Sequence, residues 1–221
     1  MTEVSLVDLI DGARAGFLVS FPTDTVPALA AIPEKAELIF AAKQRSQDKP
    51  LILMAADAED LWSYVVGNDE EYKIWREVMD KYLPGALTLV LPASSYVPKR
   101  MNPTDSMTIG IRVPKSAIAQ TILAQTGPLA TTSANVSGQP ALQTMAEIAA
   151  QFPDVLTLGE TECEGETQGI GLPSTVAKWT GSNWQILRQG AVKLGVRSCK
   201  DKEEHRVSTT GGAEERRILC D

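Results

Sequence analysis

The stretch GPLATTSANVSG, from Gly127 to Gly138, begins with apolar residues and continues as a dense run of small hydroxyl and amide side chains. Its polar members are Thr131, Thr132, Ser133, Asn135 and Ser137. Short polar side chains often bond to neighbouring backbone groups, and such local capping is one explanation of the cluster. The other explanation is a ligand held in a tight turn by hydroxyl groups and backbone N–H groups. The rest of the chain is needed to weigh the two.

Strand and helix signals alternate on both sides of this stretch. Short apolar runs typical of buried strands alternate with segments whose apolar residues recur at helical spacing. The strand runs are 50–56, 87–92 and 107–114, and the helical segments are 33–45, 70–82 and 117–126. Segments 174–179 and 184–188 flank TGSN, which predicts a hairpin. This order predicts a layered α/β domain with a mixed sheet.

Helix faces and helix starts can also be predicted from the pattern. In the segment 70–82, helical spacing places five apolar or aromatic residues on one face, namely Ile74, Trp75, Val78, Met79 and Tyr82. We expect this face to pack on the core. Short polar residues predict helix starts at Asp57, Ser116 and Thr144.

Length and composition indicate one main domain. The chain has 221 residues, of which 43% are hydrophobic, which is enough for a sizeable core. The alternating pattern ends near Ser198, and the residues that follow are charged and poor in apolar side chains. We therefore expect residues 1–198 to form the domain and residues 199–221 to form a mobile charged tail.

Charge and cysteine usage restrict the class of protein. A formal net charge of −7 gives nonspecific nucleic-acid binding little help, so any anion must be held locally. Three cysteines form no CxxC pair and leave an odd one, which suits a reducing cytosol. The sequence shows neither a signal peptide nor an apolar run of the roughly 18 residues that a membrane span needs. We expect a cytoplasmic protein with no membrane partner.

Histidine is absent from the expected domain. The only histidine, His205, lies in the expected tail, so a Ser-His-Asp or Cys-His apparatus in the core is excluded. A His/Cys zinc site is equally unsupported, and no side-chain cluster predicts a metal site. Candidate chemistry therefore rests on cations and hydroxyls where strands end, which is where sites in open α/β sheets usually lie.

Two segments carry candidate polar groups with more than one explanation. Lys43, Arg45 and Lys49 follow a predicted helix, where cations either offset the helix macrodipole or bind an anion. In FPTDTV, Asp24 and Thr25 either bond local backbone groups in a strand-to-turn transition or contribute to a site.

The strand TIGIRVP contains a charge at a position that requires a partner. Strand alternation places Thr108, Gly110 and Arg112 on one face. The partner of Arg112 is either a structural carboxylate or a ligand anion. Arg188 occupies a similar position in QILRQG, on the strand face opposite Leu187.

Taken together, these segments resemble the YrdC/Sua5/YciO family, whose best-characterised members are threonylcarbamoyl-AMP synthases. The resemblance extends from about Phe17 to Val192. Its segments, in the family's order and approximate spacing, are FPTDTV, the K-x-R of Lys43 and Arg45, KPL, PGALT, TIGIRVP, LATTSANVSG, PSTV and ILRQGA. PGALT is a weak signal alone, whereas TSANxSG together with K-x-R and the arginine of IRVP is highly specific.

The resemblance implies a twisted α/β sheet whose concave face binds ATP, L-threonine and bicarbonate. In the family reaction, threonine and bicarbonate form a carbamate that attacks the α-phosphorus of ATP, which releases pyrophosphate and yields threonylcarbamoyl-AMP. A partner transferase complex then moves the threonylcarbamoyl group to an adenosine of tRNAs. Such chemistry needs positioned cations, hydroxyls and backbone N–H groups, with Mg²⁺ on the phosphates, and it needs no histidine.

The resemblance also implies roles for individual residues. On the nucleotide side it places Lys43, Arg45, Lys49, Thr108, Ser133, Asn135, Ser137 and Arg188. On the threonine side it places Thr25, Arg112, Thr131 and Ser174, with the Arg112 fork suited to a carboxylate. Lys43, Arg45 and Arg112 are expected to act directly in catalysis.

The chain departs from the family pattern mainly on the threonine side. Pro27 and Ala28 replace an aromatic residue and a glycine, Ser46 replaces a proline, and Met54 replaces a histidine that many synthases carry. Two alternatives to the synthase therefore stay open. One is a protein that binds double-stranded RNA or the ribosome through a positively charged hollow, and the other is a nucleotide-binding relative with a different acceptor amine.

Overall fold

The computed structural model of the chain describes residues 3–163 and 169–195. The expected tail at 199–221, with His205, lies outside the described residues, as does the end of the expected domain at 196–198. The helices are α1 (Leu6–Arg14), α2 (Ala36–Ala42), α3 (Asp69–Tyr82), α4 (Ala117–Thr126) and α5 (Met145–Gln151). The strands are β1 (Glu3–Val4), β2 (Val19–Phe21), β3 (Ala28–Ala31), β4 (Ile52–Met54), β5 (Leu87–Pro92), β6 (Thr108–Arg112), β7 (Leu129–Ser133), β8 (Leu156–Leu158), β9 (Thr175–Trp179) and β10 (Trp184–Arg188).

Within the described residues these strands form one twisted sheet in the order β1-β8-β2-β3-β7-β4-β6-β5-β9-β10. The sheet contains both parallel pairs, such as β4 with β6, and antiparallel pairs, such as β5 with β6, so the predicted mixed α/β sheet is confirmed. The predicted terminal hairpin is the antiparallel pair of β9 and β10.

Alternation along the central strand β6 separates the core from the candidate site. Ile109 and Ile111 are fully buried in the hydrophobic core on one side of the sheet. Thr108, Gly110 and Arg112 line a cavity on the other side, as the period of two predicts.

The predicted helix starts are confirmed at Ser116 and Thr144 but not at Asp57, whose segment forms only a 3₁₀ turn with Ala58 as its N-cap residue, and one core face is narrower than predicted. Ser116 and Thr144 cap α4 and α5, and Asp57 accepts a hydrogen bond from the Glu59 N–H at the start of a 3₁₀ turn. The prediction that Ile74 packs on the core was wrong, because Ile74 is 38% exposed to solvent. Trp75 instead forms the buried contact of α3, edge-on to Trp179 of β9.

The first three polar residues of the hydroxyl-rich stretch lie in a strand, and this corrects the prediction that the whole cluster forms a tight turn. Thr131, Thr132 and Ser133 are the last residues of β7, and only the residues after them turn. Ser133 pairs with Ala28 of β3, a strand that the alanine-rich sequence did not indicate. Pairing with neighbouring strands outweighs the low strand preference of alanine.

Candidate functional site

A cavity of about 790 Å³ opens on the face of the sheet formed by strands β4 to β7, β9 and β10. Its lining includes most of the residues singled out from the sequence, namely Thr25, Arg45, Lys49, Thr108, Arg112, Thr131, Ser133, Asn135, Ser174 and Arg188. Lys43 and Ser137 do not line the cavity, although both are bonded to residues that border it. Residues from distant parts of the chain therefore converge on one space.

The segment after α2 turns Lys43 and Arg45 in different directions. Lys43 is the C-cap residue of α2, and Gln44 adopts a left-handed backbone conformation with a φ of 49°. Beyond this reversal Arg45 lines the cavity, and its Nε donates to the Lys49 carbonyl at 3.1 Å. Burial lowers the pKa of Arg45, and the nearby Asp48 opposes this effect.

Lys43 is fully buried beneath the end of β7. Its Nζ donates to the Ser133 carbonyl and, at 3.0 Å, to Asn135 Oδ1. The pKa of Lys43 is lowered to about 7. Burial is the largest cause, and the positive charges of Arg45 and Lys49 contribute the rest. Near neutral pH this amine is therefore poised between its charged and neutral forms.

The turn after β7 is fixed by its own polar side chains and by α2. Ser133 Oγ donates to Asn135 Oδ1 at 2.6 Å, and Asn135 Nδ2 donates to the carbonyls of Val136 and Gln139. The Ser137 N–H donates to the Lys43 carbonyl at 3.1 Å. Local capping, one of the two explanations of this stretch, is thus present, and Ser133 and Asn135 border the cavity at the same time.

Arg112 has both a structural carboxylate partner and a place in the cavity wall. Its Nη2 donates to Asp24 Oδ1 at 2.7 Å, its Nη1 to Thr25 Oγ1 at 2.9 Å, and its Nε to the Gly85 carbonyl at 3.2 Å. The side chains of Arg112 and Asp24 are only 6% and 15% exposed. Asp24 therefore makes a long-range ion pair, beyond the local bonding that the FPTDTV segment indicated.

Burial lowers the pKa of Arg112, as does the neighbouring Arg188, whereas the Asp24 carboxylate raises it. The ion pair thus offsets part of the cost of burying a guanidinium group.

Arg188 reaches the cavity because β10 contains an irregularity. The register between β10 and β9 shifts between Ile186 and Arg188, so two residues oppose one across the bulge. Leu187 and Arg188 consequently both line the cavity, which corrects the prediction that they lie on opposite faces. Arg188 Nη2 donates to the Ser174 carbonyl at 2.8 Å.

Several further polar residues of the cavity wall were missed in the sequence, among them Thr88 and Lys178. Thr88 of β5 bonds to the Ser174 hydroxyl at 2.8 Å, and Lys178 of β9 lines the cavity beside Val176. Strand alternation could have identified both, because each lies on the face opposite buried neighbours such as Ala177.

The positions that depart from the family pattern also border the cavity, except Ser46. Pro27, Ala28 and Met54 are part of its wall, and the Met54 side chain is almost fully buried there. In residues 3–163 and 169–195, no group of three His, Cys, Asp or Glu side chains could hold a metal ion. No helix among these residues is long and apolar enough to span a membrane.

Comparison with known proteins adds independent observations. The model of the Sua5/YciO/YrdC family, described as "Telomere recombination", matches residues 12–190. A threonylcarbamoyl-AMP synthase of Pyrococcus abyssi is 37% identical over 189 residues, which cover 82% of this chain and 52% of that protein. A threonylcarbamoyl-AMP synthase of Vibrio cholerae is 32% identical over 193 residues, which cover 84% of this chain and 97% of that protein.

A solved structure is similar over most of the fold. The crystal structure of P. abyssi Sua5 complexed with L-threonine aligns with a TM-score of 0.76 and 30% identity, covering 92% of this chain and 57% of that one. The chain therefore spans about half the length of the Pyrococcus proteins and nearly the whole length of the Vibrio protein.

Proposed function

Because the chain belongs to the Sua5/YciO/YrdC family, we propose that it is a threonylcarbamoyl-AMP synthase, which forms threonylcarbamoyl-AMP and pyrophosphate from ATP, L-threonine and bicarbonate. The observation that carries the proposal is the convergence of cations and hydroxyls from distant segments on one cavity. A relative of nearly the same length carries the synthase name, which supports assigning the activity to this chain.

The proposed phosphate subsite lies between the end of α2 and the turn after β7. Arg45 and Lys49 supply positive charge at the cavity wall, and Ser133 and Asn135 supply polar groups beside them. Lys43 lies directly behind Ser133 and Asn135, and an arriving polyanion would favour its protonated form. Thr108 and Arg188 line the same cavity, and Arg188 lies close enough to Arg112 to border both subsites. Ser137 contributes through Lys49, whose Nζ lies 3.4 Å from its hydroxyl.

The proposed threonine subsite is centred on Arg112. A guanidinium group has five N–H donors, and three of those of Arg112 are bonded to Gly85, Thr25 and Asp24. Among the described residues no partner uses the remaining N–H on either terminal nitrogen. Those two donors suit the paired oxygens of an amino-acid carboxylate. Thr131 and Ser174 place hydroxyl groups at the same wall.

The chemistry requires positioning and charge neutralisation more than proton transfer. A carbamate oxygen forms a bond to the α-phosphorus while the bond to the bridging oxygen breaks, and the electron pair leaves with pyrophosphate. Arg45 and Lys49 would neutralise the charge that grows on the leaving group. Arg112 would hold the carboxylate so that the carbamate faces the phosphorus. None of these steps uses histidine.

We propose that Mg²⁺ enters with ATP as a counter-ion of the triphosphate, a role in which the phosphates and water supply most of its ligands.

The decisive experiment is release of pyrophosphate from ATP by the purified protein. We expect release that depends on both L-threonine and bicarbonate. Release without threonine dependence at high enzyme concentration would contradict the proposed function. A matched reaction with Arg45→Ala, a cavity cation, should lose activity, whereas Arg76→Ala, an exposed arginine paired with Glu59, should keep it.

Several finer proposals follow from this activity. The product would serve a transferase complex that modifies tRNA in the cytoplasm. Direct binding of tRNA or double-stranded RNA is a separate proposal, for which the cavity offers Arg45, Lys49, Lys178 and Arg188. Phosphate contacts predict a steep loss of RNA affinity as salt rises, and a flat salt profile would contradict them.

A nucleotide-binding protein with a different acceptor amine is the second candidate, because Pro27 and Met54 border the cavity. It predicts that ATP raises the melting temperature of the protein while threonine does not.

A further inference from the structure

Asp24 is a partly buried carboxylate next to the proposed amino-acid subsite. It lies just before Thr25 in the loop between β2 and β3, and its Oδ1 accepts from Arg112 Nη2 at 2.7 Å. Asp24 does not line the cavity itself, whereas Thr25 and Arg112 do. Any effect of Asp24 on a ligand therefore acts through Arg112 and through space.

Backbone hydrogen bonds from residues 170 and 171 hold the loop that carries Asp24, and with it the Asp24–Arg112 ion pair. The Ile170 N–H donates to the Asp24 carbonyl at 3.2 Å, and the Gly171 N–H donates to the Thr25 carbonyl at 3.0 Å. A Cβ atom at Gly169 would lie 2.4 Å from the Thr25 carbonyl oxygen, so only glycine permits this approach. The Thr23 and Thr25 hydroxyls, 3.1 Å apart, add a further contact within the loop.

The charges around the subsite are unequal in number. Arg112 and Arg188 are close enough for each to affect the other electrostatically, and Asp24 is the carboxylate paired with Arg112. Counting only the two charges that act on the pKa of Arg112, two guanidinium groups and one carboxylate leave a net charge of one positive unit around Arg112. The other charged lining residues of the cavity, Arg45, Asp48, Lys49, Asp105 and Lys178, are not among those that shift the pKa of Arg112. The net positive charge around Arg112 matches a single ligand carboxylate, while a second carboxylate would be repelled by Asp24 in a largely buried setting.

We infer that Asp24 is a specificity-determining residue: by occupying one side of the Arg112 guanidinium and cancelling one positive charge, it makes the subsite disfavour amino acids whose side chain carries a second carboxylate. This inference rests on the proposed function. It concerns a residue that acts through Arg112 rather than one that touches the reacting atoms.

The test compares L-asparagine and L-aspartate as competitors of L-threonine in the pyrophosphate-release reaction. The two competitors have nearly the same shape and differ in one negative charge. We expect the wild-type protein to bind asparagine more tightly than aspartate. In Asp24→Asn, which keeps the size of the side chain, the preference should move toward aspartate by about tenfold or more, because a like-charge repulsion is removed.

Asp57→Asn is the matched control, since Asp57 is a carboxylate that accepts a hydrogen bond from the Glu59 N–H and does not line the cavity. It should leave the ratio of the two inhibition constants unchanged. If Asp24→Asn does not fold, Asp24→Ser is measured in the same way.

The outcomes separate the inference from the proposed function. Equal binding of asparagine and aspartate by the wild-type protein, no competition by asparagine, or an unchanged ratio in the Asp24 variant would each overturn the inference alone. Wild-type protein without threonine-dependent pyrophosphate release would overturn the proposed function and the inference with it.

Discussion

The Lys43 ammonium group and the Asn135 side chain meet at 3.0 Å across 92 residues of chain. This contact joins the end of α2 to the turn after β7, and it buries a lysine that is not a lining residue of the cavity. The two sequence segments of highest specificity, K-x-R and TSANxSG, are therefore one structural unit. The protonation state of Lys43 consequently affects both the stability of the folded protein and the charge at the proposed phosphate subsite.

The depressed pKa of Lys43 predicts a pH dependence of stability. The ordinary lysine pKa of 10.5 applies to the unfolded chain, whereas the folded protein holds it at about 7. Between these values the unfolded chain binds more protons at this residue, so its contribution to stability rises with pH from about 7 toward 10.5. We expect the free energy of unfolding of the wild-type protein, relative to Lys43→Met, to increase over this window in urea titrations.

Lys73→Met removes an exposed lysine of α3 and is the control for this measurement. A difference between wild type and Lys43→Met that stays constant with pH would contradict the prediction.

The left-handed backbone conformation of Gln44, just after α2, predicts which substitutions this position tolerates. Its φ of 49° lies in the left-handed region, where a β-branched side chain is strained. Gln44→Val should therefore lower the free energy of unfolding by about 1–2 kcal/mol. Gln44→Gly should change it by less than about 1 kcal/mol, because glycine adopts this conformation readily but gains freedom in the unfolded chain. Urea titration measures both, and equal stability of the two variants would argue against strain at this position.

The ion pair of Arg112 with Asp24 predicts a combined loss of stability and activity. Arg112→Ala leaves a carboxylate that is only 15% exposed without its partner, which should cost about 3–5 kcal/mol. The same change should abolish threonine-dependent release of pyrophosphate. The double variant Asp24→Asn with Arg112→Ala should recover part of the stability, since the unpaired charge is gone, but none of the activity. A double variant no more stable than Arg112→Ala would show that the unpaired carboxylate is not the cause.

The bulge in β10 predicts that loss of Leu187 does not move Arg188. Arg188 already pairs with Val176, so deleting Leu187 should leave regular pairing, with Arg188 directly after Ile186 and therefore on the opposite, cavity-facing side. We expect the deletion variant to bind ATP nearly as Leu187→Ala does, measured by calorimetry. A deletion variant that binds ATP much more weakly than Leu187→Ala would contradict Leu187 as the extra residue of the bulge.

The sequence alone determined the class of the fold and the identity of most of the polar residues at the site. Alternating apolar patterns are local, so they indicated strands such as β6, the caps of α4 and α5, and the cavity-facing side of Arg112. The pattern failed for β3, whose alanines form a strand only because β2 and β7 pair with it on either side. It also failed for Ile74, because α3 packs on the sheet through a stripe too narrow to include it.

Only the tertiary structure decided how the polar residues are partnered. The pairing of Arg112 with Asp24 joins residues 88 positions apart, and no local pattern specifies which carboxylate meets a given guanidinium group. The burial of Lys43 and its lowered pKa depend on packing beneath β7. The direction of Arg188 depends on a one-residue shift between β9 and β10. The physical reason is common to all three: sequence periodicity records the average environment of a residue, whereas charge state and orientation depend on the few atoms that folding brings next to it.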